Sequence, residues 1–155
     1  MRIVVAAYGK LRSSHIRREI DKYIGRLGKY TSLEVREIKE QRAGGDSSKA
    51  RTNDDSRFLK TLKDDDYLIL CDERGKQPDS TGLAEILSQR ERSGRGRTIF
   101  LVGGAYGVGT DIRERADMLL GLSRLTLPHE LARLVLIEAI YRGFTIQRGE
   151  KYHHE

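Results

Sequence analysis

TIFLVGGAYGVG, residues 98–109, is the stretch that decides the fold of this chain. Its first five residues are apolar or β-branched, a composition typical of a buried strand. The seven residues that follow contain four glycines, which leave the backbone bare so that another group can approach it closely. A similar junction, LSRLTLPH, follows at residues 122–129. Two such loops predict a small-molecule pocket, because ligands of α/β sheets bind beyond the carboxyl ends of the strands.

Strand patterns alternate with helix patterns along the whole chain. This alternation predicts an α/β fold with a mainly parallel sheet and helices on both faces. Ser13 or Ser14 caps the first predicted helix, and Pro128 begins the last one, since its fixed φ suits a first helical position. The predicted strands cover residues 3–8, 33–38, 67–71, 98–102 and 118–122. Residues 41–56 contain almost no apolar side chain and predict a mobile loop that runs into a helix.

The chain has 155 residues, a net charge of +6 and one cysteine. Its length predicts a single domain over residues 1–155. The positive charge favours a polyanionic partner such as nucleic acid, although many small proteins are basic for no specific reason. Cys71 cannot form an internal disulfide, and without CxxC or paired histidines no metal site is expected. No signal peptide and no bilayer-spanning segment stand out, so we expect a cytoplasmic protein without membrane association.

The last predicted helix is apolar around nearly its whole circumference between Leu131 and Tyr141. A helix of this kind is buried on all sides. Because a C-terminal helix of so small a domain is hard to bury within one chain, the pattern predicts a homodimer that covers its outer face. The alternative is a helix deep in the core of a monomer.

Several common catalytic patterns are missing from the sequence. The glycine loop lacks both the GxGxxG spacing with a downstream acid and the Lys-Ser/Thr ending of a P-loop. No arrangement of Ser, His and Asp suggests a triad, and the aspartates at 64–66 are expected to be solvated. Nicotinamide-linked and hydrolase chemistry are therefore disfavoured.

Six motifs, spread from one end of the chain to the other, resemble those of the RlmH family. They are Gly9-Lys10, DERGK at 72–76, VGGAYG at 102–107, LSRLTLPH at 122–129, EAIYR at 138–142 and YHH at 152–154. Members of this family are SPOUT-class methyltransferases of large-subunit ribosomal RNA, and the length of the chain also fits.

The resemblance implies a homodimer whose C-terminal part is threaded as a trefoil knot and binds S-adenosylmethionine. The implied reaction is methylation of N3 of a pseudouridine in 23S ribosomal RNA. A protein this short has little surface for choosing one site, so we expect it to act on assembled ribosomes. The family usually has an aliphatic residue at the position of Cys71. If the contact with adenine is apolar, a cysteine can replace that residue. The cofactor contacts carried onto this chain are Cys71, Gly103, Leu122, Ser123, Arg124, Leu125, Thr126 and Leu127.

Methyl transfer to N3 requires alignment of donor and acceptor and removal of the imide proton. The candidate catalytic residues are Tyr152, His153 and Arg142. Tyr152 is expected to stack on or hydrogen-bond to the target base, and His153 or His154 to take the proton. Arg142 is expected to stabilise negative charge on the uracil oxygens. The alternative for the two histidines is a frayed terminus.

The sequence does not decide the role of the basic first helix or which RNA is the substrate. The helix either contacts RNA phosphates or is a solvated face; its basic residues are Arg12, Arg17, Arg18, Lys22 and Arg26. The alternative functions are a related knotted enzyme that acts on transfer RNA and a non-catalytic basic RNA-binding module.

Overall fold

The computed structural model of this protein describes residues 1–40, 47–104 and 107–153. Strands and helices alternate along these residues. They are β1 (Arg2–Tyr8), α1 (Ser14–Leu27), β2 (Ser32–Ile38), α2 (Ser47–Leu59), β3 (Tyr67–Lys76), α3 (Ser80–Ser93), β4 (Thr98–Val102), α4 (Thr110–Arg115), β5 (Met118–Leu120) and α5 (His129–Gln147). The first part of the predicted 41–56 loop, the centre of the glycine loop at 105–106 and His154 lie outside the described residues.

The five strands form one parallel sheet in the order β2-β1-β4-β3-β5. Apolar residues of α1, α3 and α5 cover one face, and those of α2 and α4 cover the other. The predicted α/β fold with helices on both faces is thereby confirmed. β4 lies in the centre of the sheet and is buried over its whole length, as its apolar sequence predicts. The knot implied by the resemblance stays a prediction.

The register of the sheet brings three loops to one edge. Cys71 of β3 pairs with Val102 of β4 on one side and with Leu120 of β5 on the other. The predicted strand end at Cys71 is a bulge within β3, which continues to Lys76. This bulge (residues 72–75), the glycine loop and the segment between β5 and α5 therefore start side by side. This alignment positions the candidate site.

α5 buries much of its apolar circumference within the chain. It packs with α1 and α3 in one apolar cluster, where Leu136, Ile137 and Ile140 are inaccessible to solvent. An outer stripe stays at least partly accessible, and Leu131 at its start is 37% exposed. The other residues of this stripe are Leu134, Val135, Glu138 and Ala139. Most of the apolar surface of α5 is thus buried within one chain. Only the outer stripe is left for a partner to cover.

Residues 47–56 form the first turns of α2 and not the predicted loop. Polar contacts hold this helix. Asp55 is 3% exposed and accepts hydrogen bonds from the Tyr8 hydroxyl and from the Gly109 N–H, both at 2.6 Å. The prediction was wrong because apolar periodicity carries no signal for contacts of this kind.

The last strand and the last helix differ slightly from their predicted bounds. The strand ends at Leu120, and the Gly121 N–H donates to the Lys76 carbonyl oxygen at 2.8 Å, which closes the pairing with β3. α5 starts at His129, with Pro128 as its N-cap. The segment between these ends is a loop at the edge of the sheet whose Leu122 and Leu127 pack against the core.

Asp66 corrects the expectation that the acidic run at 64–66 is solvated. Its side chain is fully buried and pairs with the Arg97 guanidinium, and it also accepts the Lys63 N–H at 2.8 Å. Burial raises the pKa of this carboxyl, but the hydrogen bonds from Arg97 and Lys63 outweigh burial and lower the pKa to about 2. Asp64 and Asp65 are exposed, as predicted.

We expect Asp66→Asn to lower the free energy of unfolding near neutral pH by about 2 kcal/mol, because it removes a buried, charge-assisted hydrogen bond from Arg97. The pKa of Asp66 is depressed in the folded state. Its stabilisation is therefore complete above the unfolded pKa of about 4 and is lost as the pH falls towards about 2. Urea unfolding of both proteins across this pH range measures the effect. A difference in stability that stays constant down to the lowest pH contradicts the assignment.

Candidate active site

A cavity of about 290 Å³ opens beyond the carboxyl ends of β4 and β5, beside the bulge of β3. Its walls come from this bulge, the glycine loop, and the segment between β5 and α5, with His129 at the start of α5. The cavity lies at the edge of the sheet where ligands of α/β proteins bind.

Most of the residues predicted to contact a cofactor line this cavity. Of the eight, only Arg124 lies outside the described lining, and it is exposed. The Ser123 hydroxyl accepts the Leu125 N–H at 2.9 Å, which folds the segment into a short turn. The predicted residues in the lining are Cys71, Gly103, Leu122, Ser123, Leu125, Thr126 and Leu127. Their contacts with a ligand stay predictions.

Glycine occupies positions of the glycine loop where neighbouring groups come too close for a side chain or where φ is positive. A side chain at Gly104 would collide with the Glu40 carboxylate and come within 3.1 Å of the Tyr8 Cβ. Gly107 has a φ of 66°, in the left-handed region that favours glycine, and its N–H donates to the Gly104 carbonyl oxygen at 3.0 Å. Backbone geometry therefore accounts for Gly104 and Gly107, whereas Gly103 lines the cavity.

An ion pair that the sequence analysis missed lies in the cavity wall. Arg113 donates from Nε to Asp72 at 3.0 Å and from Nη1 to the Val108 carbonyl oxygen at 3.0 Å. Arg113 thereby connects the bulge of β3 to the glycine loop. Burial raises the pKa of Asp72, but hydrogen bonds from the Arg74 N–H and from Arg113 outweigh burial and keep that pKa below its ordinary value. The position of Asp72 directly after a predicted strand was the available signal; none pointed to Arg113.

Cys71 contributes a neutral thiol to the cavity wall. The residue is partly buried, and burial raises the pKa of the thiol to about 12. An uncharged cysteine behaves as a small apolar side chain. Its contact with a ligand is therefore expected to be apolar.

The three predicted catalytic residues form a tail cluster with Glu138. The Tyr152 hydroxyl donates to Glu138 Oε1 at 3.0 Å and lies 3.2 Å from the Tyr23 hydroxyl. Arg142 donates to the same Glu138 oxygen at 2.5 Å, and its Nη1 lies 3.4 Å from Nδ1 of His153. Its guanidinium also lies over the Tyr152 ring, 4.8 Å from the ring centre. The structure therefore brings Arg142, Tyr152 and His153 together.

Hydrogen bonding and burial shift the pKa values of two residues in the tail cluster, Arg142 and Tyr152. The hydrogen bond to Glu138 raises the pKa of Arg142, which stays a cation. Burial, followed by the hydrogen bonds to Tyr23 and Glu138, raises the pKa of the Tyr152 hydroxyl, which therefore acts as a hydrogen-bond donor and not as a base. Neither Glu138 nor Tyr23 was predicted to belong to the site. The EAIYR motif was the available signal for Glu138, whereas Tyr23 matched a core position of its helix.

The tail cluster and the cavity lie far apart within one chain. α5 begins at the cavity with His129, and Arg142 follows thirteen residues later, about 20 Å along the helix. Tyr152 packs against Tyr141 of the same helix, with ring centres 4.8 Å apart, so the tail stays at the far end. A single chain does not bring the predicted catalytic and cofactor residues to one place.

The described ranges 1–40, 47–104 and 107–153 contain neither a metal-binding cluster nor a membrane-spanning helix. No three or more His, Cys, Asp or Glu residues in these ranges are grouped so that they could hold a metal ion. No helix in them has the length and apolar character needed to cross a membrane.

Comparison with known proteins identifies relatives along the full chain. A family model described as "Predicted SPOUT methyltransferase" matches residues 1–153. Proteins named "Ribosomal RNA large subunit methyltransferase H" from Geotalea daltonii and Geobacter metallireducens are each 40% identical to this chain over 154 residues. Each match covers 99% of this chain, and they cover 100% and 99% of the two relatives, respectively.

A solved structure from Haemophilus influenzae Rd KW20, described as a probable methylase family protein, has a similar fold. It superimposes with a TM-score of 0.54 over 99% of this chain and 70% of that chain. The sequence identity is 12%, so this likeness concerns the fold alone.

Proposed function

This chain belongs to the SPOUT methyltransferase family, and from that premise we propose that it methylates N3 of a pseudouridine in 23S ribosomal RNA with S-adenosylmethionine as methyl donor. The proposed enzyme is a cytoplasmic homodimer of single-domain chains, residues 1–155, that acts on assembled ribosomes. The name shared by relatives 40% identical along their full length supports ribosomal RNA as the substrate.

One observation carries the proposal: the glycine loop and residues 122–127 meet in one cavity. These segments are separated in sequence and, together with Cys71, contain all eight cofactor residues that the resemblance implies, of which seven line the cavity. The parallel register of β3, β4 and β5 brings them to the same edge. A methyl donor bound there meets main-chain groups and leucines on one side and the charged residues Asp72, Glu73, Arg74 and Arg113 on other parts of the wall.

The residues of the cavity fit S-adenosylmethionine in polarity. Leu122 and Leu127 offer apolar surface for a purine ring, and Gly103 leaves main-chain groups open to it. The Asp72–Arg113 pair offers both signs of charge to the ammonium and carboxylate of an amino acid. When bound, this cofactor supplies an electrophilic methyl group on a sulfonium, so no covalent bond to the protein is needed.

The separation of the tail cluster from the cavity supports a homodimer with shared sites. A partner whose α5 packs in the opposite direction on the outer stripe brings its own tail cluster to this cavity. Leu131, at the cavity end of the stripe and 37% exposed, then becomes covered. Two-fold symmetry forms both sites at once, because each chain gives its cavity to one and its tail to the other.

The tail cluster prepares the target base for methylation. Tyr152 donates a hydrogen bond or stacks on the base, and Arg142, held cationic by Glu138, stabilises negative charge on the uracil oxygens. As the N3–methyl bond forms and the sulfur–methyl bond breaks, the N3 proton leaves to His153 or to water. S-adenosylhomocysteine and the N3-methylated base are the products.

Leu125 tests the placement of the cofactor. It lines the cavity and is 77% exposed, so a ligand that covers it gains apolar contact. We expect Leu125→Ala to raise the dissociation constant of S-adenosylmethionine about tenfold without lowering stability, since about 1.5 kcal/mol of apolar burial is removed. Calorimetric titration measures the affinity. Val35→Ala, at an exposed apolar position of β2, is the control, and an equal loss in both variants contradicts the placement.

The reaction itself is tested with methyl-labelled S-adenosylmethionine and large ribosomal subunits from cells that lack this modification. We expect one methyl group per subunit, located by mass spectrometry on N3 of a pseudouridine, and little transfer to a short naked stem-loop. Transfer to tRNA instead contradicts the substrate, and binding of ribosomal RNA without any transfer contradicts the enzymatic role.

A further inference from the structure

We infer that the outward face of α1, continued by the chain end after α5, forms the surface that holds the RNA backbone next to the target base. This RNA-contact face consists of Arg18, Lys22, Arg26, Arg148 and Lys151. The inference rests on the proposed function and specifies how its substrate is held. It answers the question that the sequence leaves open between a phosphate-binding helix and a solvated one.

Helical spacing aligns the α1 members of the RNA-contact face. Arg18, Lys22 and Arg26 follow one another at intervals of four residues, so they form one row along the helix. Successive side chains in such a row have Cβ atoms about 6 Å apart. Neighbouring phosphates along a nucleic-acid strand have a comparable separation, so one strand can meet several of these cations in turn.

Two of the three cations in this row, Arg18 and Arg26, are not engaged in an ion pair with any described residue, whereas Lys22 is. Arg17, on the flank towards β2, pairs with Glu37 at 3.2 Å, and Glu19 pairs with Lys22 at 2.6 Å. Arg18 and Arg26 are exposed and form no ion pair with any residue in the described ranges. Asp21, the other acid of the helix, is four residues from Arg17 and three from Arg18, and it forms no ion pair with any described residue. Phosphate can therefore approach Arg18 and Arg26 without breaking an ion pair of the described residues.

The end of the chain extends the row towards the tail cluster. It is docked on α1 and the turn after it: the Tyr152 hydroxyl lies 3.2 Å from that of Tyr23, and Glu150 accepts the Tyr30 hydroxyl at 2.7 Å. Arg148 and Lys151, on either side of Glu150, are exposed and without an ion pair to the part of the chain that is described. They carry positive charge to the residues next to Tyr152 and His153.

Aromatic contacts fix one of these cations in place. The Arg26 guanidinium lies over the rings of Tyr23 and Tyr141, 5.5 and 5.8 Å from their centres. The Tyr23 hydroxyl also lies next to the Tyr152 hydroxyl, so Tyr23 contacts both Arg26 and the tail cluster. A phosphate bound at Arg26 is thereby held at a set distance from the target-base residues.

RNA fits this face better than a membrane does. The large apolar side chains that are exposed in the described residues, Val35, Leu125 and Leu131, lie elsewhere. A membrane-surface helix buries an apolar face in the lipid, but the apolar side of α1 packs into the core through Ile20 and Leu27. Arginine binds phosphate with two parallel hydrogen bonds, which suits a backbone contact.

The test compares two double variants, each of which removes two exposed positive charges. Arg18→Gln with Arg148→Gln weakens the RNA-contact face and spares the aromatic contacts of Arg26. Lys60→Gln with Lys63→Gln is the control, because these lysines follow α2 on the opposite face of the sheet. Binding to unmodified large ribosomal subunits is measured by co-sedimentation over a range of KCl at fixed Mg²⁺.

We expect the slope of log affinity against log salt to become shallower by about 1.5 in the Arg18/Arg148 variant, or roughly 0.7–0.9 for each phosphate that the variant no longer binds. KM for subunits should rise about tenfold, while kcat at saturation and the affinity for S-adenosylmethionine stay within about twofold. The control should match the unmodified protein. An unchanged slope in the Arg18/Arg148 variant, or an equal change in the control, overturns the inference.

The binding measurement separates this inference from the proposed function. If the protein transfers no methyl group but loses salt-dependent binding through Arg18 and Arg148, the RNA-contact face stands and the enzymatic proposal fails. If methylation proceeds and the variant binds subunits normally, the enzyme stands and the RNA-contact face is overturned.

Discussion

A chain that ends at Arg148 is expected to transfer methyl groups roughly a thousandfold more slowly than the full chain while binding S-adenosylmethionine equally well. The truncation removes Tyr152 and His153, and with them the hydrogen-bond donor and the proton acceptor for the target base. It leaves every residue of the cavity wall in place, because the described lining ends at Ala132. Single-turnover methylation and calorimetric titration measure the two quantities separately.

Undocking of the chain end is the competing explanation for such a result. The tail contacts α1 through Tyr23 and the following turn through Tyr30, so its removal exposes part of α5. Urea unfolding of the truncated chain and a full-length Tyr152→Phe variant control for this. We expect Tyr152→Phe to keep the ring packing and lose part of the rate. Retained turnover in the truncated chain contradicts the role of the tail.

Arg113→Ala is expected to weaken S-adenosylmethionine binding about a hundredfold, or about 2.7 kcal/mol. The change leaves the Asp72 carboxylate, 7% exposed, without its 3.0 Å partner and frees the glycine loop at the Val108 carbonyl. The glycine loop and the segment that carries Asp72 are then no longer connected through Arg113. Calorimetric titration gives the affinity, and urea unfolding shows that the domain itself stays folded.

Arg115→Ala is the matched control for Arg113→Ala. Arg115 lies on the same short helix, has a similar side-chain exposure of 30% against 33%, and also pairs with an aspartate, Asp117, at 3.1 Å. It does not line the cavity. Its removal should affect stability slightly and affinity within about threefold. Equal losses of affinity in both variants show that α4 acts through stability alone.

Mixed dimers decide which chain supplies the tail. The truncated chain retains its cavity, and the full-length Arg113→Ala chain retains its tail. If each site combines the cavity of one chain with the tail of the other, random mixing should restore about a quarter of the unmodified activity. Activity that stays at the sum of the two parents shows that each chain works with its own tail.

The central strand and the cavity loops are the parts that could be predicted from sequence. β4 is apolar after Thr98, as a fully buried parallel strand requires, and the run of glycines that follows it indicates a close approach of other groups to the backbone. Both signals are local in sequence. The resemblance then extended the prediction to residues 122–127, whose meeting with the glycine loop depends on the register of three strands.

Long-range polar contacts are the parts that sequence patterns could not reveal. Asp55 is 54 residues from Gly109, and Asp72 is 41 from Arg113, and no periodicity connects such positions. The start of α2 was therefore predicted as a loop, and Asp66 was expected to be solvated although Arg97 pairs with it. The distance between the tail cluster and the cavity was equally invisible, because it follows from the direction of α5.

Titration of S-adenosylmethionine into the purified protein, followed by calorimetry, tests the central claim most directly. If the glycine loop and residues 122–127 form a cofactor site, the heat saturates with a micromolar dissociation constant, and excess S-adenosylhomocysteine abolishes it. If only the heat of dilution is observed for a folded protein, the cavity does not bind the methyl donor and the proposed chemistry is wrong.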